Sequence, residues 1–177
     1  QGTAQFVAAN ALAVTTPEGG VGRIKFDRAF IGTGARPAIP PIPGLADTPY
    51  LTSTSALSLP VIPNRLLVIG GSAVALELAQ AFARLGSQVT ILARSRLLSR
   101  DDPAVGDAIR KAFEQEGIRV LLRTQASGVD YADGEFILDT NAGELRAEQL
   151  LIATGRTPNT ERLGLEQIGV KTVRGAI

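Results

Sequence analysis

Residues 65–100 read RLLVIGGSAVALELAQAFARLGSQVTILARSRLLSR, and their order of apolar run, small-residue turn, amphipathic stretch and second apolar run decides the fold. Leu66-Leu67-Val68-Ile69 is continuously apolar and partly β-branched, the pattern of a parallel strand buried on both faces. Gly70 and Gly71 end it. From Ser72 the spacing turns helical, with Val74, Leu78, Phe82 and Leu85 expected on one stripe and Gly86 at the place of a C-cap glycine. Val89 to Leu92 reads as a second strand. Such a βαβ unit aims backbone N–H groups and the positive end of a helix dipole at one point, where a pyrophosphate binds.

Set against the dinucleotide fingerprint G-x-G-x-x-G/A, Gly70 fills the tight-turn position, Ser72 replaces the middle glycine, and Ala75 fills the position of close helix-to-strand contact. Serine adds a Cβ and a hydroxyl, so a phosphate either sits further out or accepts a hydrogen bond from that hydroxyl. The alternative is a buried turn with no ligand; strand, helix and second strand arriving where the motif requires them favours the site. At the end of the second strand, an NAD site places Asp or Glu for the ribose 2′-OH. Here the chain reads Ala93-Arg94-Ser95-Arg96-Leu97-Leu98-Ser99-Arg100, with no acid and three arginines. Guanidinium groups suit a 2′-phosphate. Two charge-assisted bonds of about 1.5–3 kcal/mol each would favour NADPH over NADH, less what salt screens. For any single arginine a basic, solvated loop is the alternative; the cluster favours the phosphate.

With 177 residues, 45% hydrophobic, the chain has room for one full domain and part of another. A net charge of +1 with 20% charged residues gives no reason to expect a nucleic-acid or membrane partner. No apolar run approaches the ~20 residues of a membrane span, and no signal peptide pattern opens the chain. Cys, His, Met and Trp are absent, which removes thiolate nucleophiles, imidazole bases, disulfides and soft-metal ligands. A chain without an initiator methionine is expected to begin inside a larger protein.

Upstream, residues 3–16 read as a strand pair around Asn10, Glu18-Gly19-Gly20 as a turn, and Ile24–Phe26 and Ala29–Ile31 as short strands. Pro37, Pro40, Pro41 and Pro43 form a stiff crossing between domains, and residues 53–59 a short helix. Downstream, Asp101 or Asp102 caps a helix from Pro103 to about Gln115, which Gly117 stops. Ile118–Leu122 is the third parallel strand. A β-meander comes next (127–131, 135–140, 144–147, with turns at Asp133-Gly134 and Asn141-Ala142-Gly143), then another strand, 149–153. The segments FIGTGARP (30–37) and LIATGRTPN (151–159) resemble one another and bracket the dinucleotide unit, as when one domain is inserted into another.

These residues resemble the two-dinucleotide flavoprotein disulfide reductases. The likeness is carried by PPIPGL (40–45), TSTSAL (52–57), VALELAQAFARLGSQVTILAR (74–94), Asp102-Pro103 and ATGRTPNT (153–160). It covers almost the whole chain but only the middle of the family's polypeptide, and its wording is most similar to the mercuric reductase branch. The resemblance implies an α/β fold: a Rossmann-like three-layer parallel sheet with helices and a β-meander crossover, flanked by incomplete pieces of an FAD-binding domain. The expected divisions are 1–60 (partial FAD-binding domain and crossover), 61–157 (NADPH-binding domain) and 158–177 (start of the return to the FAD-binding domain).

The same resemblance implies hydride transfer from NADPH through FAD to a dithiol, and thence to mercury(II). An alternative acceptor is the disulfide of a glutathione reductase or dihydrolipoamide dehydrogenase; an alternative of another class is a free-standing NADP(H)-binding sensor. Carried over, Gly70, Gly71, Ser72 and Val74 line the pyrophosphate turn, and Arg94 and Arg100 take the 2′-phosphate while Arg96 is a spectator. Glu77 matches a glutamate near nicotinamide and flavin, whose lysine partner lies outside this segment, so a solvated helix residue is its alternative. Ala73 replaces a gating tyrosine. Gly155 and Arg156 close the nicotinamide side, and Thr33 and Gly34 touch FAD in the intact protein. No catalytic or metal-binding residue is expected, because the FAD motif, the redox C-x4-C pair, the downstream Gly-Asp and the dimerisation region are missing. Mercury(II) needs thiolates, so this segment alone is expected to reduce nothing. The expected partners are NADPH and the rest of the FAD and dimerisation domains, in a cytoplasmic homodimer.

Overall fold

A computed structural model describes residues 1–177. The chain divides into two compact units, Gln1–Arg36 with Arg156–Ile177, and Pro37–Gly155. The proline-rich stretch belongs to the larger unit, where it packs against the meander strands. Val129 N–H donates to Pro43 O (2.9 Å), and a Cβ on Gly44 would lie 1.9 Å from Val129 O. Only glycine permits that approach.

In the smaller unit, β1 (Thr3–Ala8), β2 (Ala11–Thr15) and β3 (Val21–Lys25) form an antiparallel sheet in sequence order. Asn10 lies in the first turn, and Phe6, buried on β1, meets Phe26 edge-to-face with centroids 6.0 Å apart. The expected strand Ala29–Ile31 is absent, and Phe30 is 97% exposed. A strand exists only as a partner in a ladder, and no segment of this chain pairs with those residues. Pairing resumes at β4 (Ala35–Pro37).

The larger unit begins with α1 (Ser53–Ala56), shorter than the pattern suggests and closed by a capping box between Thr52 and Ser55. Next come β5 (Arg65–Ile69), α2 (Ala73–Arg84), β6 (Gln88–Ala93), α3 (Pro103–Gln115), β7 (Arg119–Leu122), the meander β8 (Ala126–Ala132), β9 (Glu135–Thr140) and β10 (Gly143–Ala147), and β11 (Gln149–Ile152). The chain then enters β12 (Arg156–Pro158), which pairs with β4. The two similar Thr-Gly segments therefore end in neighbouring strands of one ladder.

β11, β5, β6 and β7 lie side by side in that order, all parallel. Alternation along each strand sorts the side chains into two cores. Leu66, Val68, Val89 and Ile91 face Ala75, Leu76, Ala79, Phe82 and Phe113 of the helices. Leu67, Leu92, Leu150 and Ile152 face Val129, Phe136 and Leu138 of the meander. The unit is thus three layers, with the meander standing where a second layer of helices covers other such sheets. Phe136 is 0% exposed, and its truncation to alanine would cost about 3–5 kcal/mol. Leu51 covers the outer edge of β11, donating to Leu150 O (2.7 Å) and accepting from Ile152 N–H (2.8 Å).

The buried stripe of α2 differs from the expected one. Ala75, Leu76, Ala79 and Phe82 face the sheet, whereas Val74 is 41% and Leu85 62% exposed. Periodicity weighted by side-chain size favours the larger residues; packing favours alanine where the helix must approach the strand closely. α3 has the expected limits, with Asp102 as N-cap accepting from Ala104 N–H (2.9 Å) and Pro103 at its first position.

Candidate dinucleotide site

In the order β7-β6-β5-β11 the chain runs outward from β5 to β7 and then returns to the other side of β5. Connections therefore diverge at the carboxyl ends of β5 and β11, the crevice in which sheets of this kind bind ligands. The turn after β5 sits at that crevice. Gly70 has φ 144°, and a Cβ there would lie 2.3 Å from Ala153 O at the end of β11. Both facts demand glycine. At Gly71 an added Cβ would meet Ala93 Cβ and Arg96 O at 3.3 Å, so the turn also presses on the loop after β6.

Ser72 caps α2. Its Oγ accepts from Ala75 N–H at 3.4 Å and donates to Ala153 O at 3.0 Å. The hydroxyl proton is thus directed at the carbonyl of Ala153, just past the end of β11. The N–H groups of Gly71, Ser72, Ala73 and Val74 have no acceptor within the chain, and with the helix dipole behind them they present donors of the kind an anion could accept hydrogen bonds from. Ala73, Val74 and Glu77 are exposed on α2. Glu77 has no ion-pair partner.

The loop after β6 places the arginines in different surroundings. Arg94 and Arg100 are exposed and unpaired. Arg96 is half-buried, and its guanidinium donates to Ser99 O (3.1 Å) and Asp101 O (3.0 Å). Backbone bonds hold the rest: Leu98 N–H to Gly71 O (2.8 Å), Asp101 N–H to Leu98 O (2.9 Å), Arg123 N–H to Ser95 O (3.1 Å) and Thr124 N–H to Ala93 O (3.0 Å). Leu98 takes a positive φ of 45°, and Leu97 is buried against α3, where a Cβ on Gly106 would lie 2.6 Å from Leu97 O. The sequence reading did not single out Gly106, although a glycine inside a helix is a signal of close approach.

On the β11 side, Gly155 has φ 137° and accepts from Ala38 N–H (2.9 Å), and Thr154 Oγ1 donates to Ala38 O (2.7 Å). In the smaller unit, Arg156 donates to Ala35 O. Asn159 organises the segment before β4: its N–H donates to Gly34 O (3.0 Å), its Nδ2 to Thr33 O (3.0 Å), and its Oδ1 accepts from Arg36 (3.2 Å). Sequence reasoning passed over Asn159 as a bracing residue. Grooves of about 410 and 330 Å3 lie in this smaller unit, lined by residues such as Arg36 and Glu161 or Thr172 and Arg174. The unpartnered N–H groups of Gly71 to Val74 line neither groove. No helix is long and apolar enough to cross a membrane.

A family model described as pyridine nucleotide-disulphide oxidoreductase matches residues 2–177. The chain is 60% identical, over 100% of its length, to a mercuric reductase of Acidithiobacillus ferrooxidans, and 59% identical, over 99%, to one of Shigella flexneri. It spans about a third (32%) of the length of each of these relatives. Among solved structures, a copper(II) complex of the HOCl-induced flavoprotein disulfide reductase RclA of Escherichia coli superposes with a TM-score of 0.90 at 34% identity, covering 99% of this chain and 40% of that one.

Proposed function

This chain belongs to the pyridine nucleotide-disulphide oxidoreductase family, and on that premise we propose that it is the NADPH-binding domain, with flanking pieces of the FAD-binding domain, of a mercury(II)-reducing flavoenzyme. Similarity to mercuric reductases at 59–60% identity supports the branch. One observation carries the choice of nucleotide. The strand β6 ends without a carboxylate, and two exposed, unpaired guanidinium groups, Arg94 and Arg100, come after it.

In this reading the free N–H groups of Gly71 to Val74 take the pyrophosphate, and Arg94 and Arg100 take the ribose 2′-phosphate. Gly155, whose conformation leaves no side chain in the way, borders the nicotinamide, with Arg156 beside it in sequence. Glu77 is exposed one helical turn along α2 from Ala73, where a charged group of the remaining polypeptide can meet it. Thr33 and Gly34, held by Asn159, belong to the FAD side. When bound, NADPH would supply hydride, and the flavin and thiols for reducing mercury(II) would come from the rest of the homodimeric polypeptide.

Calorimetric titration of the purified protein with NADPH and NADH tests the reading. NADPH is expected to bind more tightly, and Arg94→Ala and Arg100→Ala each to reduce the difference by about tenfold. Equal affinities for the two nucleotides would remove the phosphate argument. Turnover of mercury(II) by the 177-residue chain with NADPH alone would remove the requirement for thiols supplied from elsewhere in the polypeptide.

A further inference from the structure

The three loop arginines look alike in sequence, but the chain fixes two of them in different ways. Main-chain bonds lock the neighbours of Arg94: Ala93 O accepts from Thr124 N–H, and Ser95 O from Arg123 N–H. The neighbours of Arg100 are Ser99 and Asp101, and their carbonyls are both held by one side chain, the guanidinium of Arg96 (3.1 and 3.0 Å). Between these points the backbone makes the unfavourable positive-φ turn at Leu98 (φ 45°). A strained turn persists only where its surroundings over-determine it.

We propose that Arg96 is a positioning residue for nucleotide selection: by clamping the carbonyls on both sides of Arg100, it holds that residue ready for the 2′-phosphate. The proposal rests on the NADPH reading above. Main-chain bonds hold both carbonyls beside Arg94, whereas the two carbonyls beside Arg100 rest on one side chain, with a single turn bond, Asp101 N–H to Leu98 O (2.9 Å), spanning the segment; loss of Arg96 therefore leaves part of the ordering of Arg100 to be done at the moment of binding. The third arginine thereby contributes to selectivity with no bond of its own to the nucleotide.

The test is a double-mutant cycle in the purified protein, with NADPH and NADH affinities measured by calorimetry. Arg96→Met keeps much of the aliphatic stem and removes the donors. It is expected to weaken NADPH binding about fivefold and to leave NADH within about twofold. In an Arg100→Ala background the same substitution is expected to have no further effect, whereas in an Arg94→Ala background the two losses add. A further loss in the Arg100→Ala background would mean that Arg96 acts on the phosphate directly and would overturn the proposal. So would equal weakening of both nucleotides, the mark of general loosening, or no weakening at all. Arg96→Lys, which keeps a charged donor, is expected to recover part of the discrimination. If Arg100→Ala itself leaves the NADPH-to-NADH ratio unchanged, the cofactor reading fails; if it lowers the ratio and Arg96→Met does not, only the clamp fails. A crystal structure of the unsubstituted protein with NADPH provides a readout independent of any variant's folding. Arg96 should remain on Ser99 O and Asp101 O, and a guanidinium moved onto the 2′-phosphate would overturn the proposal.

Discussion

Ser72 Oγ donates to the carbonyl of Ala153 at 3.0 Å, joining the turn after β5 to the end of β11. The hydroxyl at the fingerprint's middle position is therefore an internal tie. Ser72→Ala should lower stability by about 1 kcal/mol, through the lost cap and tie, and change NADPH affinity by less than about threefold, because the phosphate donors on the main chain remain. Thermal melting and calorimetry read the two quantities separately. A tenfold loss of affinity at unchanged stability would instead put the hydroxyl on the phosphate.

Gly70 and Gly71 should differ in tolerance. An added Cβ at Gly70 meets Ala153 O at 2.3 Å in a backbone conformation that L side chains rarely adopt, whereas at Gly71 the nearest atoms are at 3.3 Å and φ is not positive. Gly70→Ala should cost more than about 3 kcal/mol, and Gly71→Ala about 1–2 kcal/mol as the arginine loop shifts to make room. Urea titrations of the two variants compare them directly.

Gly106 lies in α3, away from the turn in sequence, yet its missing Cβ lets Leu97 O approach. Gly106→Ala gains about 1 kcal/mol of helix propensity but drives a carbon to within 2.6 Å of that carbonyl. The expected outcome is a net loss of stability together with weakened NADPH binding, because the displaced segment lies between Arg94 and Arg100. NADH binding should change less, and parallel titrations with both nucleotides check it.

Arg84 forks onto Glu116 through Nε (3.1 Å) and a terminal nitrogen (2.9 Å), and Gln80 adds a third donor at 2.8 Å, so the end of α2 is bound to the C-cap of α3. The hydrogen bond from Arg84 holds the Glu116 carboxyl below its ordinary value of 4.5, opposed by burial and supported by the hydrogen bond from Gln80 and the charge of Arg84. A folded-state value below the unfolded one means that the contribution is complete above pH 4.5 and is lost as pH falls through the folded value. Glu116→Gln should therefore be the less stable protein at pH 7, and the two urea midpoints should converge as the pH falls through the lowered folded-state value. A gap that stays constant down to pH 3 would show that the carboxylate's charge contributes nothing.

Where a local pattern had one physical solution, the fold was legible. The limits of α3 come from Asp102, Pro103 and Gly117, and the four-residue run 66–69 has the length and composition of a doubly buried strand. The meander comes from alternation punctuated by Asp133-Gly134 and Asn141-Ala142-Gly143. What was hidden depends on contacts distant in sequence. The alanine face of α2 is selected by the nearness of the sheet, not by hydrophobicity, and Phe30 carries a strand-like pattern without a partner to make it a strand. At the site, the glycine turn and the arginine cluster were visible, but the separation of Arg96 from Arg94 and Arg100 was not. That distinction comes from which carbonyls a folded loop turns inward.

The register of the parallel sheet also sets a schedule. Leu66 of β5 pairs with Val89 soon after it in the chain, but its other neighbour, Gln149 of β11, comes only after both helices and the meander. Closing contacts across so long a loop is slow compared with forming helices or hairpins. Because Gly70 and Ser72 contact Ala153, the turn proposed to receive phosphate is expected to be completed late in folding. In stopped-flow refolding, recovery of nucleotide binding should lag behind recovery of far-ultraviolet circular dichroism. The nucleotide would then act as a late inspector of the domain, retaining finished molecules rather than seeding new ones.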